Sequence, residues 1–188
     1  MERWKGKVAV VTGASSGIGA AISEQLVNLG MKVVGVARRK ETIVAQAEKL
    51  KGRSGELYAV KVDICKEEDI LNAFSWITEN VGPIHILINN AGATYITDLV
   101  NGDTSIWKSI FDTNVIGLCI ASREAIKIMR ANNIHGHIVN IGSIVGPYLY
   151  HYPKANVYPA SKRALIALSE TLRQELNAIG SKIKVSVR

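Results

Sequence analysis

Short runs rich in β-branched residues alternate along the chain with longer stretches in which apolar residues return every three or four positions. The short runs predict strands at 7–12, 32–37, 57–62, 84–89, 137–141 and 182–187. The longer stretches predict helices at 17–29, 41–50, 67–80, 104–129 and 159–178. Strand and helix in strict alternation argue for parallel strands joined by crossover helices, which makes this an α/β protein with a three-layer, doubly wound parallel sheet. No internal repeat, low-complexity tract or linker interrupts the pattern, so 1–188 reads as a single domain.

Two helices carry long apolar stripes: Ile106, Ile110, Asn114, Leu118, Ala121, Ala125 and Met129 on one, Leu165, Leu168, Leu172 and Leu176 on the other. Core packing accounts for most of each stripe. The remainder suits an isologous helix pair, which predicts a homodimer or homotetramer built through these two helices.

Composition narrows the class. The chain has 188 residues, 47% of them hydrophobic, enough for one domain with a real core. Lys and Arg number 23 against 16 Asp and Glu, a net charge of +7 that suits an anionic ligand or simply a basic surface. The basic residues are scattered, with Arg38-Arg39-Lys40 the one tight cluster, and no interleaving with aromatics points to nucleic acid. The apolar run 8–11 is too short for a signal-peptide core or a membrane span, so a cytoplasmic protein is expected. Cys65 and Cys119 lack Cys-x-x-Cys spacing and clustered histidines, which predicts two buried thiols and neither a metal site nor a disulfide.

Between the first strand and the first helix lies Thr12-Gly13-Ala14-Ser15-Ser16-Gly17-Ile18-Gly19, a place where a dinucleotide pyrophosphate can bind. Glycines let the backbone approach the phosphates, and the helix N-terminus aims unpaired N–H groups at them. The spacing Gly-x-x-x-Gly-x-Gly departs from the Gly-x-Gly-x-x-Gly fingerprint, and a plain structural turn is the alternative. The acidic residue that reads a ribose 2′-hydroxyl at the end of the second strand is missing. Arg38 and Arg39 stand there instead, and a guanidinium grips a 2′-phosphate through charge-assisted bonds worth about 1.5–3 kcal/mol. NADP(H) is therefore favoured over NAD(H), with an ordinary exposed loop as the alternative.

Tyr158 and Lys162 lie at i and i+4 of a predicted helix and share one face. An ammonium beside a phenol makes its ionised form cheaper, which suits tyrosine to acid–base work near neutral pH. An interfacial aromatic beside a solvated charge is the alternative.

Taken together, the turn 12–19, Asn89-Asn90-Ala91-Gly92, Asn114, Ser143, and Tyr158 with Lys162 resemble the short-chain dehydrogenase/reductase family over residues 6–188. Met1-Glu2-Arg3-Trp4, the stretch 156–162 and Leu172-Arg173-Gln174-Glu175-Leu176 look most like its farnesol-dehydrogenase-like and hydroxysteroid-dehydrogenase-like subgroup. The resemblance implies a Rossmann fold and a catalytic group of Asn114, Ser143, Tyr158 and Lys162. Tyr158 would exchange a proton with the substrate oxygen, Ser143 would steady that oxygen, Lys162 would hold the nicotinamide ribose, and Asn114 would carry the relay toward solvent. Gly13, Ser15, Ser16, Gly17, Ile18, Gly19, Arg38, Arg39, Asp63, Ile64, Asn90, Ala91 and Gly92 would bind the cofactor together with Tyr158 and Lys162. Asn89, Asn90 and Gly92 would also support the central sheet. The loop 144–156, with Tyr148, Leu149, Tyr150, His151, Tyr152 and Pro153, would overhang the site, and its aromatics suit a lipophilic alcohol or ketone. His151, His85, His135 and His137 read as ordinary histidines.

Family members continue beyond the sixth strand into a substrate lid and a seventh strand. The chain is accordingly expected to be truncated there, with an open sheet edge. Two readings stand. One is an NADP(H)-dependent oxidoreductase interconverting an alcohol and a carbonyl; the other is a catalytically silent nucleotide-binding module that pairs with a complete subunit.

Overall fold

Strand β1 (Val8–Thr12) is buried at every position, as a strand must be when both faces of its sheet are covered. In the computed structural model, which describes residues 2–148 and 153–188, β1 lies inside a six-stranded sheet of order β3-β2-β1-β4-β5-β6. The other strands are β2 (Lys32–Ala37), β3 (Glu56–Lys61), β4 (Ile84–Asn89), β5 (His137–Asn140) and β6 (Lys184–Val187). Every neighbouring pair is parallel, so all six carboxyl ends emerge at one edge. This is the expected doubly wound arrangement.

Successive side chains of a strand point to opposite faces, and the two cores follow that alternation. On one face Val8, Val10, Val34, Leu87 and Ile138 pack against Ile70, Phe74 and Ile77 of α3 (Glu67–Asn80), Ala121, Ala125 and Met129 of α5 (Gly117–Ala131) and Leu176 of α6 (Tyr158–Ala178). On the other face Ala9, Val11, Val33 and Ile86 meet Val27 of α1 (Gly17–Asn28) and Ile43 of α2 (Lys40–Lys49). The order reverses between β1 and β4, and ligands of such sheets bind at that crevice.

Boundaries differ from the sequence expectations by a residue or two at most elements. The exception is the stretch read as one helix over 104–129. It is α4 (Thr104–Phe111), a π-helical turn at Asp112–Ile116, and then α5. The apolar spacing runs on across the junction, which hides the wider turn. Gly117, whose N–H closes the wide turn on the Asp112 carbonyl, is closely packed: a side chain there would collide with Ile64, both its carbonyl oxygen and its side chain. The same turn carries Asn114 inward, where it is 1% exposed. Such one-turn π segments accumulate at functional positions.

The cysteines correct an expectation. Cys65 is exposed, its sulfur 3.2 Å from the Thr113 hydroxyl, and Cys119 is half-buried. Cys65 follows β3 at the open carboxyl edge, where it lines the cleft. Of the aromatic loop, Leu149, Tyr150, His151 and Tyr152 lie outside the described residues, as does Met1.

Leu87, in the middle of β4, is fully buried. Leu87→Ala is expected to cost about 2–5 kcal/mol of stability, measured by urea denaturation.

Candidate functional site

A cleft of about 880 Å³ opens where the first four strands end. Thr12, Gly13, Ser15 and Ser16 line it after β1, Arg38 and Arg39 after β2, Asp63 and Ile64 after β3, and Asn90, Ala91 and Gly92 after β4. The parallel sheet thus brings most of the sequence-predicted cofactor residues onto one surface. Gly17, Ile18 and Gly19 form the first turn of α1 at its rim, with Ile18 62% exposed.

The glycine-rich turn and the turn after β4 hold one another. The Thr12 hydroxyl accepts from the backbone N–H of Asn90 at 3.0 Å and of Ala91 at 2.9 Å. Asn90 Nδ2 donates back to the Thr12 carbonyl at 2.9 Å. Gly13 takes a left-handed φ of +67°, and a Cβ there would stand 2.9 Å from the Ala91 Cα. A Cβ on Gly19 would run into Asn90 Nδ2 and the Gly13 carbonyl. These glycines let two loops and a helix meet without side chains between them.

The cleft suits a dinucleotide. Ser16, which precedes α1, makes no side-chain cap to the helix, so the first N–H groups are left for an anion. Arg39 donates to the Ser15 and Ser16 hydroxyls at 3.3 and 3.1 Å, which bridges the end of β2 to the turn after β1. Asp63 accepts from the Cys65 N–H at 3.1 Å while its own N–H donates to Asp69 at 2.9 Å. That fixes the carboxylate at the far wall.

Two of the four sequence-predicted catalytic residues, Asn114 and Lys162, meet beside Gly92 at the other end, while Tyr158 lies one turn before Lys162 and Ser143 follows β5. Tyr158 opens α6, whose first turn includes Pro159, and one turn later Lys162 is 5% exposed. Its ammonium donates to the Ile141 carbonyl at 2.9 Å rather than to the Tyr158 hydroxyl. Burial pushes this ammonium below the usual lysine range. A Cβ built on Gly92 would stand 3.6 Å from Asn114 Oδ1 and 3.8 Å from Lys162 Nζ, so this glycine joins the cleft to the catalytic group. Asn114 accepts from the Ala93 N–H at 2.7 Å and donates to the Ala93 carbonyl at 3.0 Å. Ser143 follows β5, and its carbonyl accepts from the Gly146 N–H at 2.9 Å.

Residues not singled out in the sequence complete the site. Thr12 joins the two loops, Ser161 bonds Asn114, and the Arg163 guanidinium donates to the Gly146 and Pro147 carbonyls at 3.0 and 2.8 Å. The signal for the last two was their place beside Lys162. Beneath the site, Asn89 supports the sheet as expected, donating to Ser122 and to Asn140 at 2.9 Å each. Among the described residues, no group of three or more His, Cys, Asp or Glu is placed to hold a metal ion, and no helix is long and apolar enough to cross a membrane.

Six parallel strands and a cleft at the reversal of their order define a doubly wound, nucleotide-binding type of α/β fold. The short chain dehydrogenase family model matches residues 7–187, and the chain belongs to that family. It is 48% identical over 188 residues to the farnesol dehydrogenase of Aedes aegypti, covering 99% of this chain and 77% of that one. It is 43% identical over 189 residues to the human dehydrogenase/reductase SDR family member 11, covering 99% and 73%. Among solved structures, a short chain dehydrogenase/reductase from Burkholderia phymatum in complex with NAD superposes with a TM-score of 0.92 at 33% identity, over 100% of this chain and 66% of that one. A metagenomic short-chain oxidoreductase in complex with NADP gives 0.89 at 31% identity, over 98% and 81%.

Thr12→Val removes the acceptor for two N–H groups at the floor of the cleft. It is expected to cost about 1–3 kcal/mol, read as a lower urea midpoint.

Proposed function

We propose that the chain is an NADP(H)-dependent oxidoreductase that interconverts a lipophilic alcohol, such as an isoprenoid alcohol or a hydroxysteroid, and its carbonyl form. The observation that carries this reading is Lys162. A lysine rarely gives up its hydration without a task, and this one is buried one turn after Tyr158, at the end of a cleft lined by two arginines.

Arg38 and Arg39 would hold the 2′-phosphate, Gly13, Ser15, Ser16 and the turn 17–19 the pyrophosphate, Asp63 and Ile64 the adenine, and Asn90, Ala91 and Gly92 the middle of the cofactor. When bound, the nicotinamide supplies the hydride for carbonyl reduction or accepts it from an alcohol. The rest falls to the chain's own side chains. The Ser143 hydroxyl donates to the substrate oxygen, and Tyr158 gives that oxygen a proton in reduction or takes one in oxidation. Lys162 holds the ribose hydroxyls, and Asn114 fixes the wall behind them. Lipophilicity of the substrate is supported by Ile96, Ile144 and Tyr148, which are 87%, 72% and 62% exposed on the loops after β4 and β5. It is supported also by the name of the mosquito relative.

The groove between α5 and α6, lined by Leu118, Ile126, Leu168, Leu172 and Ile179, supports a helix-pair dimer or tetramer. Light scattering is expected to give a mass of two or four 20.4 kDa chains; a monomer mass refutes it.

Titration with NADPH and NADH, followed by nicotinamide fluorescence, is expected to give binding at least about tenfold tighter for NADPH, with the preference lost in Arg38→Ala/Arg39→Ala. Equal affinities would refute the assignment of the 2′-phosphate to these arginines. Tyr158→Phe is expected to lower turnover by about 10²–10⁴-fold while NADPH binding is retained. Unchanged turnover would refute the role given to Tyr158.

A further inference from the structure

Consecutive side chains at the start of α6 each reach a different loop. Ser161 bonds the π-helical turn, Lys162 the end of β5, and Arg163 the segment after Ser143. Ser161 has no part in the roles assigned so far, yet its exposure is 0%. Its hydroxyl lies 2.7 Å from the Tyr158 carbonyl oxygen and 2.9 Å from Asn114 Nδ2.

Donor and acceptor counting fixes every direction in this cluster. A carbonyl only accepts, so the single hydroxyl proton of Ser161 goes to Tyr158. The hydroxyl lone pairs then face Asn114, and only the NH₂ end of its amide can meet them. With Nδ2 so placed, its second proton goes to the Ala93 carbonyl and Oδ1 receives the Ala93 N–H. Turning the amide over would set oxygen against oxygen at both Ser161 and Ala93, and N–H against N–H at Ala93. Ala93 and Ser161 together therefore hold one orientation of Asn114, Ser161 adding the bond that comes from α6, and with it the wall at Gly92, where Asn114 and Lys162 meet.

We propose that Ser161 is a positioning residue for proton transfer at Tyr158. By donating to the first turn of α6 and accepting from Asn114, it holds the tyrosine helix in register with the π-helical turn and with Ala93. It acts through these groups, touching neither substrate nor cofactor, and the assignment rests on the oxidoreductase reading above.

The test compares the full chain with Ser161→Ala and Ser161→Thr. In Ser161→Ala, kcat is expected to fall about tenfold or more and its pH profile to shift, with KM and NADPH affinity within about threefold of the parent. Ser161→Thr keeps the hydroxyl and is expected to restore both kcat and profile. The added methyl enters a fully buried position, so a second measurement stands beside it: the Asn114 side-chain amide protons, followed by ¹⁵N-resolved hydrogen exchange. They are expected to exchange slowly in the parent and faster in Ser161→Ala. A Ser161→Ala protein with the parent kcat and pH profile overturns the proposal, as does one whose Asn114 protons still exchange slowly. Loss of cofactor binding together with kcat also overturns it, since that marks general damage to the fold. A parent chain that binds cofactor and turns over no alcohol or carbonyl refutes the oxidoreductase reading, and with it the catalytic purpose of Ser161. That failure is distinguished by amide exchange that still responds to the substitution.

Discussion

A lysine ammonium taken out of water has to be met by oxygen, and Lys162 is met by the carbonyl of Ile141 at 2.9 Å. Much of the carboxyl edge is arranged around that bond. It ties α6 to the end of β5 and so sets where Tyr158, one turn earlier, stands relative to Ser143, just beyond Ile141. The space beside the ammonium is closed by Gly92 and Asn114, and Asn114 fits there because the helix that carries it widens by one π-helical turn. A burial that is unfavourable in isolation is thereby turned into a fixed geometry at the end of an open cleft.

The interior below repeats the pattern with neutral groups. Asn89 donates to Ser122 and Asn140, Asn140 donates to Ser169, and Ser169 donates to the Leu165 carbonyl. These bonds link β4, β5, α5 and α6 through residues that are 4% exposed or less. Each bond adds only about 0.5–1.5 kcal/mol net, whereas an unmatched member costs about 1–3. The network therefore acts less by strengthening the packing than by favouring one way of seating the helices on the sheet. Apolar contacts on both faces tolerate small shifts; a chain of asparagines and serines does not.

The alternation of β-branched runs and helical spacing was enough to read the fold, because parallel strands buried on both faces carry a strong local signature. Helix α3 occupies the residues expected, and β2 and β4 do as well. The π-helical turn was hidden because apolar residues continue across it, and the close packing of Gly117 against Ile64 is remote in sequence. That the residues expected to hold a cofactor share one cleft has a topological reason, since strand ends in a parallel sheet must meet at one edge. Thr12 and Ser161 were not legible, because an ordinary hydroxyl takes its meaning from its partners. Those partners lie 78 positions away for Thr12 and Asn90, and 47 for Ser161 and Asn114. The exposure of Cys65 was missed for a related reason: neighbouring residues do not reveal which strand ends will line a cleft.

The position of β1 inside the sheet also sets an order of assembly. On one side it pairs with β2, the next strand in the chain, and on the other with β4, whose residues begin only at Ile84. A chain made from its N-terminus can close β1, β2 and β3 with α1 and α2 early, since those pairings are short in sequence. Until β4 is made, however, the second edge of β1 has nothing to pair with. The half-made protein thus exposes its most buried strand as an open edge, the form in which sheets most readily recruit foreign strands. Pairing with β4 is the step that closes that edge.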